Sequence, residues 1–399
     1  MSEPDAVTLL DEHGRLTEQG ERALELAAGQ PDPDSLAAAS ALRRAVDPEL
    51  AAAALTQESL RRKGFVKFGD RAAGLFFTPA GLEQATRPVV SQWRASQLVE
   101  RGATAVVDLG CGIGADSLAF GEAGLAVTAV ERDAATARVA RANLGPGVEV
   151  TVADAEEMVL TDDQFAFCDP ARRDGSGRVW NVEDFSPGWD FVTGLLRRES
   201  GAWIKLGPAL PHRLIPDRAD ATWISVGGDV VEAALTTCTE SSDRPGMRAV
   251  LLDAKSGSVP VTIDGTTERV DTGDLAGWVH EPDGAVIRAG AVATLAGRHG
   301  AHGIADGIAY LTSDAPMESP FATDFEVLEV LPYKEKTLRQ WVRDHHIGTL
   351  EIKKRGIDVD PAALRKRLKP KGPSAATLVL TPTRGGAKVL VVRRPSPQG

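Results

Sequence analysis

Leu36, Leu42, Val46, Leu50 and Leu60 recur at near-helical spacing with alanines between them, which predicts a helical first hundred residues. Asp47-Pro48 and Thr78-Pro79 each set a capping residue before a proline suited to a first helical turn. From Pro79 the spacing predicts one helix carrying Leu82, Ala85, Val89, Val90 and Trp93 on one side. From about Ala103 the period changes. Short apolar runs at 105–109, 127–131, 148–152, 165–168, 203–206, 223–226 and 249–252 alternate with helical stretches. Buried apolar strands alternating with helices predict an α/β fold with a mainly parallel, doubly wound, Rossmann-like sheet.

The later pattern predicts a small α+β module. Val259, Val261 and Ile263 alternate up to Asp264-Gly265, a hairpin-turn dipeptide, and a Gly/Ala-rich stretch after it reads as helical. Strands at 325–331 and 350–354, helices at 334–344 and 360–368, and two strands around Arg384-Gly385-Gly386 follow. The expected division is a helical cap over 1–100, a catalytic domain over 101–255, a connecting hairpin and helix over 256–321, and a C-terminal domain over 322–399.

Charge separates along the same lines. Residues 333–399 hold 16 Lys and Arg against 5 Asp and Glu, whereas residues 1–332 hold 29 against 51. A basic module on an acidic body is the asymmetry expected when one end meets nucleic acid; a solvated face is the alternative. No apolar run reaches the ~20 residues that span a bilayer, so no membrane partner is expected. Met1–Asp5 lacks the basic and apolar regions of a secretion signal, which makes the cytoplasm the expected compartment. Three separated cysteines, Cys111, Cys168 and Cys238, exclude a disulfide framework, and Cys111 and Cys168 read as packed side chains. His212, His345 and His346 have no partner at metal-ligand spacing, so no metal is expected.

The chemistry concentrates in Asp108-Leu-Gly110-Cys-Gly112-Ile-Gly114, where the first strand turns into a helix. Glycines there let the backbone approach a ligand, and the helix N-terminus favours a negative group. Glu131, ending the next strand, suits a carboxylate that accepts bonds from a ribose diol. The G-x-G-x-G spacing preceded by Asp108 resembles motif I of the class I S-adenosylmethionine-dependent methyltransferases. That resemblance implies S-adenosyl-L-methionine as cofactor, with Asp108 near its methionine amino group and Gly110, Gly112 and Gly114 under the adenosine. It also implies Glu131 at the ribose, and Asp154 with Ala155 at the adenine.

The loop Asp169-Pro170-Ala171-Arg172-Arg173 ends the fourth strand, where ligands gather in such sheets. Enzymes methylating base amines have Asp/Asn/Ser-Pro-Pro and an aromatic residue here, so Asp169 and Pro170 are the expected catalytic residues. The sequence departs at Ala171 and Arg172, which removes the usual stacking ring; Trp180, Phe185, Trp189 or an arginine plane would replace it. Arg172, Arg173 and Lys205 are the expected substrate contacts. The Asp-Pro-Ala-Arg-Arg loop, the Lys205-Leu-Gly-Pro208 turn and the segment Leu350–Pro361 resemble bacterial class I methyltransferases with a C-terminal THUMP-like domain. THUMP domains proper bind RNA, and together with the basic C-terminal module this makes methyl transfer to tRNA or rRNA the expected activity. A methyltransferase for a small molecule or protein, and a non-catalytic RNA-binding protein with a retained cofactor fold, remain open.

Overall fold

Side-chain caps decide where the first helices begin. Thr17, Ser35, Asp47 and Thr78 each accept a backbone N–H of the following turn, opening α1 (Glu18–Ala28), α2 (Leu36–Leu42), α3 (Pro48–Phe68) and α4 (Pro79–Gln84). The single helix expected from Pro79 through Trp93 is two. A new helix, α5 (Pro88–Glu100), starts because Pro88 has no N–H to continue a helix and holds Arg87 extended. Leu36, at the first position of α2, points to solvent and lies outside the buried face.

The computed structural model describes residues 6–172, 180–238, 246–253 and 259–395. The chain forms two units, one of residues 1–220, 232–245 and 253–258, the other of 221–231, 246–252 and 259–399.

In the first unit, β1 (Ala105–Leu109) is followed by α6 (Ala115–Glu122), β2 (Ala126–Glu131), α7 (Ala134–Leu144), β3 (Glu149–Val152) and β4 (Gln164–Cys168). A two-residue pair, β5 (Ala171–Arg172) with β6 (Phe185–Ser186), precedes α8 (Trp189–Leu195) and β7 (Ala202–Leu206). The chain continues through β8 (Ala219–Val226) and β9 (Asp229–Thr237). Strands here run β3-β2-β1-β4-β7-β9, all parallel except β9, which lies antiparallel to β7. Periodicity did not predict β9, which begins after Gly227-Gly228. The strand order reverses around β1, which opens a crevice at the carboxyl ends of β1 and β4.

Two amides fasten the helical cap. The buried Gln57 donates to the Phe77 carbonyl at 2.6 Å and accepts the Phe77 N–H at 2.9 Å. Asn143 of α7 accepts the Phe76 N–H at 2.8 Å and donates to the carbonyls of Phe76 and Ile113, at 3.0 and 2.8 Å. Ile113 lies in the glycine turn, so one side chain ties cap, turn and α7 together.

In the second unit β10 (Met247–Leu252) pairs parallel with β8, and β11 (Val261–Asp264) folds back antiparallel on β10. Asp264-Gly265 is therefore not a hairpin tip. Gly265 is needed because a Cβ there would lie 1.9 Å from the Ala289 carbonyl oxygen. The Gly/Ala-rich stretch is helical only in part. It contains β12 (Trp278–Pro282), α9 (Gly284–Arg288), α10 (Val292–His299), β13 (His302–Gly303) and β14 (Leu311–Ser313).

The remainder is β15 (Ala322–Pro332), α11 (Glu335–Asp344), β16 (Ile347–Lys354), α12 (Pro361–Leu368), β17 (Ser374–Thr383) and β18 (Gly386–Arg393). These strands and β12–β14 form one sheet ordered β13-β14-β12-β15-β18-β17-β16. Alternation sorts its two faces. Leu378, Leu380, Val389 and Val391 pack under α11 and α12, whereas Val379, Leu390 and Val392 face Tyr310 and Phe325.

Removing the Asn143 amide leaves Phe76 and Ile113 backbone groups unpaired. Asn143→Ala is expected to cost about 1–3 kcal/mol in urea unfolding. A change below about 0.5 kcal/mol, the ordinary range of surface substitutions, would show that the amide is not what fastens the cap.

Candidate active site

The first turn is built for close approach. Gly110 and Gly112 take φ of 98° and 56°, in the left-handed region that glycine alone adopts freely. A Cβ on Gly112 would meet nothing within 4 Å, and one on Gly110 would lie 3.8 Å from the Asp169 carbonyl oxygen. The end of β4 thus borders an open glycine cradle. Gly114, at φ 85°, is the N-cap of α6. At the end of β2, Glu131 accepts the Gly112 N–H at 3.1 Å and the Asp133 N–H at 2.9 Å, which fixes its carboxylate beside the cradle. After β3, Asp154 caps a single turn at Ala155–Glu157, and Ala155 is buried.

Beneath the turn lies a charged cluster. Arg94 of α5 is fully buried; it donates to both oxygens of Glu232 at 2.7 Å and to Asp116. Its guanidinium stands 5.0 Å from the centre of Phe167 and 5.8 Å from that of Trp203. These rings sit two residues before Asp169 and Lys205. Thr86 donates to Asp116 at 2.6 Å. Lys205 donates to Asp169 Oδ2 at 2.5 Å and lies 4.0 Å from Asp116. Burial pulls the Lys205 ammonium down, but Asp169, Asp116 and Glu232 outweigh it and leave its pKa above the ordinary value.

Asp108 is the exception. Its Oδ2 accepts from Ser117 at 2.5 Å, while its buried Oδ1 has no partner. Burial above all pushes this carboxyl up to about 8; Ser117 and Lys205 pull against it, and Asp116 and Asp169 add to it. A buried carboxyl with a spare oxygen, above a cluster whose carboxylates outnumber its cations, fits a ligand that brings a cationic N–H donor.

The expected residues from Asp108 to Asp169 therefore converge at the carboxyl ends of β1–β4, with Lys205 joined through Asp169. Pro170 is buried and Arg172 lies in β5; Arg173 lies outside the described residues. Trp180, Phe185 and Trp189 form a series of tilted rings with centroids 5.5 and 5.4 Å apart. Trp180 lies 3.7 Å from where a Cβ on Gly207 would be, beside the turn after β7. Burial raises the Cys111 and Cys168 thiols well above their ordinary range, which keeps both unreactive. Among the described residues no group of three or more His, Cys, Asp or Glu is placed to hold a metal. No described helix is long and apolar enough to cross a membrane.

Sequence reading missed Arg94, Asp116 and Glu232. A signal was present for the first. Val90, Arg94 and Leu98 share helical spacing, and all three are buried, so the arginine interrupts an apolar stripe.

Comparison with known proteins agrees with this geometry. Residues 106–168 match a methyltransferase domain family, residues 322–394 a THUMP domain-like family, and residues 15–64 a domain of unknown function. Two uncharacterized S-adenosylmethionine-dependent methyltransferases of Mycobacterium tuberculosis, from strains CDC 1551 / Oshkosh and H37Rv, are each 33% identical over 338 residues. Those matches cover 81% of this chain and 90% of each relative. A crystal structure from Porphyromonas gingivalis W83, of a protein assigned as a methyltransferase, shares the fold with a TM-score of 0.73 and 24% identity. It covers 95% of this chain and 97% of its own.

The state of Asp108 makes stability depend on pH. Its carboxyl titrates near 8 in the fold and near 3.8 when unfolded, so folding takes up a proton between those values. The resulting stabilisation is complete below the lower value and is lost as pH rises through the upper one. Urea unfolding of cofactor-free protein from pH 5 to 8 is expected to fall more steeply for wild type than for Asp108→Asn, by at most about 1.4 kcal/mol per pH unit. Parallel curves would mean that Asp108 is already ionised.

Proposed function

The chain belongs to the class I S-adenosylmethionine-dependent methyltransferases with a THUMP-like C-terminal domain, and we propose that it transfers the methyl group to RNA. The observation that carries the choice of RNA is the segregation of charge: 16 basic against 5 acidic residues over 333–399, on a chain that is otherwise strongly acidic. The THUMP domain-like match over 322–394 covers the same stretch.

Bound S-adenosylmethionine supplies a methyl group made electrophilic by its sulfonium. The chain's own residues bind and orient. Glu131 and Asp154 would take the ribose hydroxyls and the adenine amine, the Gly110–Gly114 turn would lie along the adenosine, and Asp108 would receive the ammonium. Asp169 keeps Oδ2 on Lys205, which leaves Oδ1 to accept a hydrogen bond from the acceptor amine or hydroxyl and hold it in line. In this reading Lys205 positions Asp169, and the carbonyl of Pro170 is a second acceptor for the incoming group. Arg172 and Arg173 hold a phosphate or stack on a base, because arginine stays protonated at neutral pH. Trp180, close to the turn after β7, offers the ring that position 172 lacks.

The test is transfer of labelled methyl from S-adenosylmethionine into separated RNA, protein and small-molecule pools from the cell that makes the protein. Label is expected in RNA. Asp169→Ala should lower single-turnover transfer ~100-fold while leaving S-adenosylhomocysteine binding within about two-fold. Glu131→Ala should instead weaken that binding by about 1–3 kcal/mol. Label confined to protein or small molecules would overturn the RNA assignment, and wild-type transfer by Asp169→Ala would overturn the role of Asp169.

A further inference from the structure

Cations in the second unit are of two kinds. Along the sheet strands the arginines and one lysine are paired, Arg393 with Glu326 at 2.5 Å, Arg394 with Glu351 at 3.4 Å, Lys353 with Glu281 at 2.6 Å, and Arg384 with Asp274 at 3.9 Å, whereas Lys354 and Lys388 have no carboxylate within 4.0 Å among the described residues. Arg394 and Lys353 also stand 5.6 Å from the Phe325 ring. On the helical face, Glu335 binds Arg339 at 2.7 Å and Arg367 at 2.9 Å, which fastens α12 to α11. That leaves Lys334, Lys336, Arg343, Lys366, Lys369 and Lys371 exposed, with no carboxylate within 4.0 Å among the described residues.

Backbone conformation marks one end of this face. Among the described residues only Glu318, His346 and Lys369 adopt positive φ without being glycine, the last two at 51°. Lys369 caps α12 in the left-handed conformation, a position where glycine avoids the strain of a Cβ. The two strained residues belong to adjoining loops. A Cβ on Gly348 would lie 1.8 Å from the Gly372 oxygen, one on Gly372 would lie 2.0 Å from the His346 oxygen, and Ser374 N–H donates to His346 at 3.1 Å. Two glycines thus let the loops touch backbone to backbone, which fixes Lys369 and Lys371 next to the end of α11. Strain kept at an exposed basic residue, on loops outside the core, is the kind of outlier from which a functional role is inferred.

We infer that the α11–α12 face, with the Lys369–Lys371 loop, is the surface that takes the phosphate backbone of RNA, and that the strand-side arginines hold the module together. The inference rests on the RNA reading and adds the face that carries it. Paired arginines would have to give up a carboxylate before binding a phosphate, whereas the free lysines release only counterions.

The experiment uses full-length protein, a fluorescent mixed-sequence RNA hairpin, and a poly-glutamate peptide of equal charge, titrated from 50 to 200 mM salt. Lys366→Gln/Lys369→Gln/Lys371→Gln is compared with Arg384→Gln/Arg393→Gln/Arg394→Gln, which removes the same charge. The lysine triple is expected to weaken RNA binding about ten-fold or more and to flatten the slope of log K against log salt by about 2–3. The arginine triple should change affinity less than about three-fold and lower the melting temperature more. Lys369→Gly should weaken binding while holding or raising the melting temperature, which a purely structural lysine would not do. Equal losses from the two triples, or a larger loss from the arginines, would overturn the assignment of the face. Wild-type protein binding poly-glutamate as tightly as the hairpin would overturn the RNA reading itself.

Discussion

A guanidinium with no solvent around it can persist only if carboxylates meet it, and Arg94 is met by two. Much of the catalytic unit is arranged about that requirement. Asp116 comes from the first turn of α6, directly after the glycine turn; Glu232 comes from β9; Arg94 itself comes from the cap. The same network reaches Lys205 and, through it, the Asp169 carboxylate. One buried cation therefore joins the cap, the glycine turn and the strand end where transfer is proposed. Truncating it would strand Asp116 and Glu232 in the interior, a loss of the kind that costs about 3–5 kcal/mol.

Arg94 and Lys205 face Asp116, Glu232 and Asp169, so carboxylates exceed cations before Asp108 is counted. Burial above all, with Asp116 and Asp169 adding to it, keeps the proton on Asp108 unless a cation arrives. S-adenosylmethionine carries positive charge on both its ammonium and its sulfonium. In the proposed arrangement the protein is pre-set with a deficit that this cofactor supplies.

What the sequence discloses and what it hides divide along contact range. The glycine turn, Glu131 and Asp154 each sit at the end of a strand, so local apolar runs and their punctuation place them. Arg94 and Glu232 stand 138 residues apart, and no local pattern joins them. Tertiary packing also reassigned local signals. Asp264-Gly265 has the composition of a hairpin turn, yet its glycine serves close passage past Ala289. Pro88 starts a new helix where the apolar spacing alone reads as one, because a missing N–H leaves no trace in that spacing. Net charge told which end of the chain is basic. Only the ion pairs distinguish the cations left without a carboxylate from those that have one.

A protonated Asp108 that awaits a cationic cofactor has to give up its proton when that cofactor binds, so binding and proton release are linked. S-adenosylhomocysteine, which retains the ammonium, would be titrated calorimetrically into the protein at pH 7 in buffers of different ionisation enthalpy. With a carboxyl near 8, binding is predicted to release close to one proton per molecule bound, and none in Asp108→Asn. Binding by the wild-type protein with no proton released would mean that Asp108 is ionised before the cofactor arrives.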